Sequence, residues 1–182
     1  MDKPKKPWIT KSVETVFDAA PWMTVYKEHV AFPNGGEIED FYQVILRHFA
    51  LMVPVTSDGK VVMIRGYRHG PRRSEFAFPG GFIDPGEAPD TAVSRELLEE
   101  TGFRCDKIKE LATTIDNANQ RGGKGTYFVG WGAEKIAAPA LEDSEDFDLY
   151  LFDVAQVDAM VATGEFGLTH TLAAWALARP HI

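Results

Sequence analysis

The stretch GFIDPGEAPDTAVSRELLEETGF, Gly81 to Phe103, carries most of what the chain says about its architecture. Pro89 suits the first turn of a helix, and Gly102 suits the position just past a helix end, so a helix is expected from Pro89 to Thr101. With Glu96 set at 0° and about 100° per residue, Glu100 falls near 40° and Glu99 near 300°. Three carboxylates therefore share one face. Leu97 and Leu98 fall at about 100° and 200°, on the flank and back, where they can pack into a core. Ala92 lies under the acidic face and is small enough to leave room there.

Like charges three and four residues apart repel by a few tenths of a kcal/mol per pair, and nothing in helix propensity asks for them together. Alone, such a face reads as solvated acidic surface. A hard divalent cation would convert the repulsion into binding, because carboxylate oxygens are the ligands Mg²⁺ and Mn²⁺ prefer.

Outward from this helix the chain alternates between strand and helix signals. PWMTVYKEHVAF and EIEDFYQVILRHF, separated by Pro33 to Gly36, read as one hairpin. FALMVPVT and KVVMIRGY, flanking Ser57-Asp58-Gly59, read as a second, and the apolar run of the former suits a strand buried on both faces. Residues 68–87 are expected to be loops around a short strand at 76–78. Strands are expected near 106–118 and 125–133, joined through QRGGKG, and another at 149–152 after the acidic stretch LEDSEDFD. Helices are expected near 154–163 and 169–178, with Thr169 as an N-cap. The first dozen residues read as a loose arm. Residues 1–45 form an N-terminal arm and accessory strands, and 46–182 the main domain. The mixture is α/β.

Composition narrows the class. The 182 residues include 27 Asp and Glu against 19 Lys and Arg, a formal net charge of −8. An acidic total disfavours a dedicated nucleic-acid binder. Residues 81–103 hold six acids and one base, and 142–148 hold five acids and no base, which leaves 16 acids and 18 bases elsewhere. The acid excess thus resides in two short segments. Cys105 cannot form an internal disulfide, which fits a reducing cytoplasm, and it reads as a half-buried strand thiol. MDKPKKPWITK has lysines with no apolar run behind them, so no signal peptide is expected. No apolar run approaches the ~20 residues that span a bilayer.

Gly81, Glu87, Arg95-Glu96-Leu97, Glu99-Glu100, Gly102 and the apolar Phe103 occur at the spacing of the Nudix box, and the chain resembles the Nudix hydrolases. That resemblance implies an α/β/α sandwich with a mixed central sheet, here with an N-terminal accessory β-sheet. It also implies metal-dependent hydrolysis of a nucleoside diphosphate linked to another group. Glu96, Glu99 and Glu100 would then bind two or three Mg²⁺ (or Mn²⁺) ions, with the Gly80 carbonyl as a further ligand. Glu87 and Arg95 would order those carboxylates. Gly81, Gly86 and Gly102 would occupy tight backbone positions.

The N-terminal strands, then IRGYRHG, then FPGGFIDPGE look like the ADP-ribose and nucleoside-diphosphate-sugar pyrophosphatases. In that subfamily the N-terminal strands build a homodimer, so a homodimer is implied. Arg68 matches the arginine of the subfamily's Tyr-Arg motif and would contact a substrate phosphate, with Arg65 and Phe82 as neighbouring substrate contacts. Arg65, Arg68, Arg72 and Arg73 are expected to supply a local positive field. Within 142–148, Glu145 matches the position of a mobile-loop catalytic glutamate, by position and in preference to Glu142.

One departure concerns substrate. The ADP-ribose enzymes commonly carry a proline about fifteen residues after the box, whereas this chain reads TIDNANQ and its next proline is Pro139. GDP-mannose and other nucleotide derivatives, coenzyme A and RNA caps among them, stay open as substrates. A non-catalytic ADP-ribose sensor would be expected to lack box carboxylates and to carry a basic extension. Here the box is whole and the arm holds only Lys3, Lys5, Lys6 and Lys11. QRGGKGT lacks the P-loop pattern and reads as a hairpin turn. His69 and His170 have no partner at ligand spacing and read as surface residues. Trp8, Trp22, Trp131 and Trp175 are too scattered to suggest base stacking, although an N-terminal aromatic could stack on a base across a dimer.

Overall fold

The computed structural model describes residues 6–182, and Lys3 and Lys5 of the expected arm lie outside them. The described chain divides into two units. One is built from the residues up to Arg47 together with Ile115–Lys124, and the other from His48–Thr114 together with Gly125–Ile182.

The first unit is a meander. Strands β1 (Ile9–Ala19), β2 (Met23–Ala31) and β3 (Glu37–Leu46) pair antiparallel in sequence order. The second hairpin turns where Asn34 accepts a hydrogen bond from the Gly36 N–H at 3.2 Å, the local alternative that Asn offers a backbone. Strand β1 begins inside the stretch expected to be a loose arm. Its turn is organised by Asp18, whose carboxylate accepts from the Ala20 N–H at 3.0 Å, while the Trp22 N–H donates to the Ala19 carbonyl. Once that turn closes, the β-branched run ITKSVETV can pair with β2, with register shifts between Thr10 and Ser12 and between Thr15 and Phe17. Along β1 the side chains stay exposed on both faces, Ile9, Val13 and Phe17 among them.

The second unit has its sheet at the centre. Strand β4 (Phe49–Thr56) is buried along its length, as its apolar run implies. Strand β5 (Lys60–Arg68) follows β4 and pairs with β6 (Arg73–Ala77) and with β11 (Phe147–Asp153). The short β7 (Gly80–Phe82) pairs antiparallel with the start of β4, setting Gly80 opposite Leu51 and Gly81 opposite Ala50. Beyond helix α1 (Pro89–Thr101) come β8 (Phe103–Arg104), β9 (Lys107–Asn117) and β10 (Arg121–Lys135). From Gly125 to Ala133, β10 runs parallel to β4, so the sheet is mixed.

Alternation along β4 builds two cores. Ala50 and Met52 point to one side and pack with Val62, Val93, Leu97 and Phe128. Leu51 and Val53 point to the other and pack with Val61, Met63, Tyr127 and Val129. Helix α1 closes the first core; helices α2 (Val154–Thr163) and α3 (Thr169–Ala178) close the second with Val157, Met160, Ala174 and Trp175. Helices therefore cover both faces of a mixed sheet, the α/β/α architecture expected above.

Several local expectations shift. The β9–β10 turn is Ala118 to Gln120, where Asn117 accepts from the Asn119 and Gln120 N–H groups at 2.8 and 2.9 Å, and most of QRGGKG is strand. Leu168, not Thr169, holds the N-cap of α3, and Thr169 is its first helical residue. Leu98 remains 38% exposed, because Leu97 alone points between α1 and the sheet. Cys105 is half-buried beside the Met52 sulfur, just after β8, and burial pushes its thiol up to about 12. No helix among the described residues is long and apolar enough to cross a membrane.

Candidate active site

Helix α1 begins with Pro89 at its first turn and ends at Gly102, whose positive φ of 74° lets its N–H donate to the Leu98 carbonyl. Arg95 lies midway and joins the helix to the preceding loop. Its Nε and Nη2 donate to the two oxygens of Glu87 at 3.0 and 3.1 Å. Its Nη1 donates to Glu96 at 2.9 Å and to Glu99 at 3.0 Å, and its Nη2 also reaches the Phe82 carbonyl at 3.3 Å. The Glu87 carboxylate in turn accepts from the Asp84 N–H at 3.1 Å. One guanidinium thus ties together the loop and two of the three box carboxylates. The hydrogen bond from Arg95 holds the Glu87 carboxyl below the usual carboxylate range.

Glu100 is 4% exposed, unusual for a carboxylate. Its Oε2 accepts from the Gly80 N–H at 2.8 Å. Burial pushes its carboxyl up to about 8, against the lowering effect of that hydrogen bond, and the charges of Glu96 and Glu145 push the same way. Burial also raises Glu96, which Arg95 opposes and Glu99 and Glu145 reinforce. From the segment 142–148, the charge of Glu145 raises both carboxyls. Its own side chain accepts from the Glu142 N–H at 3.1 Å.

The backbone permits this crowding at Gly80 and Gly81. Gly80 has φ of 148°, and a Cβ there would meet the Ala50 carbonyl at 2.1 Å. A Cβ on Gly81 would come within 2.5 Å of the Glu96 carboxylate. Among the described residues, no three His, Cys, Asp or Glu side chains gather at cation-ligating distance around a common point. Arg95 holds Glu96 and Glu99, and the Gly80 N–H holds Glu100. The donor chemistry nevertheless suits a divalent cation: four carboxylates face two arginines, and burial, reinforced by neighbouring carboxylates, raises two of those carboxyls.

A cleft of about 330 Å³ opens from Gly80 and Gly81. Arg68 stands at its edge, over the Phe147 ring at 4.6 Å, and its charge opposes the rise at Glu100. The remaining walls are largely apolar, with Phe49, Leu51, Phe78, Phe82, Leu168 and His170 among them. Not every expected arginine converges here. Three positions from Arg68 on β5, Arg65 points to the opposite face, where it lies 5.1 Å from the Phe76 ring. Arg73 pairs with the buried Glu75. His170, expected at the surface, is half-buried against Phe49, ring centroids 5.7 Å apart, and lines the cleft. Contact between residues 49 and 170 is set by the sheet and α3, so no local pattern announces it.

The NUDIX domain model matches residues 46–172. The ADP-ribose pyrophosphatase of Bacillus subtilis (strain 168) is 32% identical over 89 residues, covering 48% of this chain and 46% of that protein. The ADP compounds hydrolase NudE of Escherichia coli (strain K12) is 36% identical over 108 residues, covering 59% of this chain and 56% of that one. The chain thus matches about half the length of these curated relatives. A crystal structure of an ADP compounds hydrolase superposes with a TM-score of 0.80 at 24% identity, over 98% of this chain and 96% of the other, a likeness of fold. With the family model spanning the whole box and the sheet that carries it, the chain belongs to the NUDIX domain family.

Proposed function

We propose that this chain is a divalent-cation-dependent pyrophosphohydrolase that cleaves a nucleoside diphosphate sugar of the ADP-ribose kind to a nucleoside monophosphate and a sugar phosphate. The observation that carries the reading is the convergence of half-buried Glu96 and buried Glu100 on Gly81 and Gly80, at the mouth of a cleft edged by Arg68. The names of these relatives, ADP-ribose pyrophosphatase and ADP compounds hydrolase, support the substrate class.

Glu96, Glu99, Glu100 and the Gly80 carbonyl would hold the cation, Mg²⁺ in this reading. When bound, such an ion neutralises phosphoryl oxygens and acidifies a water. Arg95 and Glu87 keep the carboxylates oriented, and Arg68 binds a diphosphate oxygen. Glu145 accepts a proton from the attacking water as the water oxygen forms its bond to phosphorus. The bridging oxygen leaves with the electron pair of the broken P–O bond. The proton then passes from Glu145 to solvent.

A cytoplasmic homodimer completes the proposal. The exposed Ile9, Val13, Val16 and Phe17 on β1 support association, which light scattering on the purified chain tests directly. For the activity, phosphatase-coupled phosphate release is measured with ADP-ribose, GDP-mannose, UDP-glucose, diadenosine polyphosphates and deoxynucleoside triphosphates in Mg²⁺. Release from a diphosphate sugar is expected; none from any of them would end this reading.

A further inference from the structure

Strand β5 sets a cation against an aromatic ring on each of its faces. On one face the Arg65 guanidinium lies 5.1 Å from the Phe76 ring, and on the other Arg68 lies 4.6 Å from the Phe147 ring. Only the second is near the box, since Arg68 lines the cleft together with Gly80 and Gly81. Among the described residues no carboxylate stands within ion-pair distance of Arg68, whereas Arg73, Arg95 and Arg179 are each held by one or more. A long side chain free to rotate loses that freedom when it binds a phosphate, so a contact that fixes it beforehand favours binding.

The register of β11 on β5 supplies that contact. Phe147, the first residue of β11, stands opposite Gly66. Arg68 lies two residues further along the same face of β5, a diagonal that an aromatic ring can span. The approach needs a glycine: a Cβ on Gly66 would lie 2.3 Å from the Phe147 ring and 2.6 Å from the Asp146 carbonyl oxygen. With no side chain beneath it the ring packs onto the strand, and both Phe147 and Arg68 are half-buried. A ring face attracts a guanidinium through its charge and leaves the N–H fork free to donate, whereas a carboxylate would occupy that fork. Arg68 is thereby held without being neutralised.

We propose that Phe147 is a positioning residue that acts through Arg68, its ring seated on Gly66 so that the guanidinium is held beside Gly80 and Gly81 for a diphosphate oxygen. The proposal rests on the pyrophosphohydrolase reading for the ligand of Arg68.

Calorimetric titration of the full chain with ADP in the presence of a chelator tests it, because binding is then read without hydrolysis. Phe147→Leu is expected to weaken ADP about fivefold, and Phe147→Tyr, which keeps a ring, to stay within about twofold of wild type. Arg68→Ala is expected to weaken ADP about thirtyfold. In that background Phe147→Leu should change binding by less than about twofold, since the ring then has no guanidinium to hold. Phe76→Leu takes the ring from Arg65 on the opposite face and is expected to leave ADP within about twofold of wild type. That control separates loss of this contact from general loosening. Phe147→Met replaces Phe147→Leu if the latter departs from the wild-type far-ultraviolet dichroism spectrum. Phe147→Leu that binds ADP like wild type overturns the proposal, as does Phe147→Tyr that binds as weakly as Phe147→Leu. So do losses at 68 and 147 that multiply, an equal loss in Phe76→Leu, or a wild type that binds no ADP. Hydrolysis is scored apart from binding: coupled losses of ADP binding in a chain that cleaves no diphosphate sugar would remove the catalytic reading and leave Phe147 as the support of Arg68.

Discussion

Residues 81–103 and 142–148 hold six and five acidic side chains, nearly equal numbers, yet in the first Asp84 and Asp90 are exposed while Glu87, Glu96, Glu99 and Glu100 are held by fixed partners. In the first, Glu100 is buried on the Gly80 N–H, and Glu87, Glu96 and Glu99 share the Arg95 guanidinium. In the second, Glu142, Asp143, Asp146 and Asp148 are exposed, and Glu145 alone is half-buried. Charge count therefore says little about either segment. Burial next to a small number of fixed partners turns an acidic run into a site, because desolvation makes each carboxylate costly until a cation arrives.

The contrast can be broken most sharply at the braced segment. Glu99→Gln is expected to reduce turnover about a thousandfold with an unchanged dichroism spectrum, since it removes charge where the phosphoryl group must be neutralised. Near-normal kcat in that variant would end the cation assignment. In the exposed segment, Glu145→Gln is expected to lower kcat about a hundredfold while Glu142→Gln leaves it within about twofold. If both keep full activity, the base lies outside this loop.

Arg95→Ala tests the bracing itself. Without the guanidinium, Glu87, Glu96 and Glu99 lose their shared partner, and a loss of about ten- to a hundredfold in activity is expected together with a lower melting temperature. A variant that melts like wild type and retains its activity would show that the carboxylates hold their positions unaided.

A pH series separates the two segments without any change to the active-site arginine. Because Glu100 is raised to about 8 from an ordinary 4.5, the folded state binds more protons than the unfolded state between those values. Stability of the chelator-treated protein should therefore fall as pH rises through that window. Glu100→Gln should flatten the slope, and added Mg²⁺ should restore stability at the upper end. The smallest effect belongs to the solvated loop: Asp143→Asn and Asp146→Asn should each shift stability by less than about 0.5 kcal/mol and leave the slope unchanged.

Legibility in the sequence followed the range of the interactions. Helix α1 runs from Pro89 to Thr101 as read, because its boundaries depend on a proline and a glycine within a turn of each end. The hairpin β4–β5 and the helices α2 and α3 were legible from equally local signals, such as the Ser57-Asp58-Gly59 turn and Gly164 past α2, although the N-cap of α3 is Leu168 rather than Thr169. Strand β1 was not, since its exposed run ITKSVETV becomes a strand only by pairing with β2. Within the site, Glu87, Arg95, Glu96 and Glu99 lie in one local segment, and their proximity follows from helix spacing. Placement of Arg65 on the opposite face from Arg68 follows from strand alternation, although nearness in sequence suggested one cluster.

By itself, then, the sequence determined the acidic helix face, its two ends, the apolar strands and the family to which they point, all through contacts a few residues apart. Tertiary structure alone decided that Gly80 would cap Glu100, that Glu145 would bring its charge to the box, and that Phe49 and His170 would meet across a cleft. Those pairs lie 20, 45 and 121 positions apart, and a separation of that kind is closed only when sheet pairing and helix packing are complete.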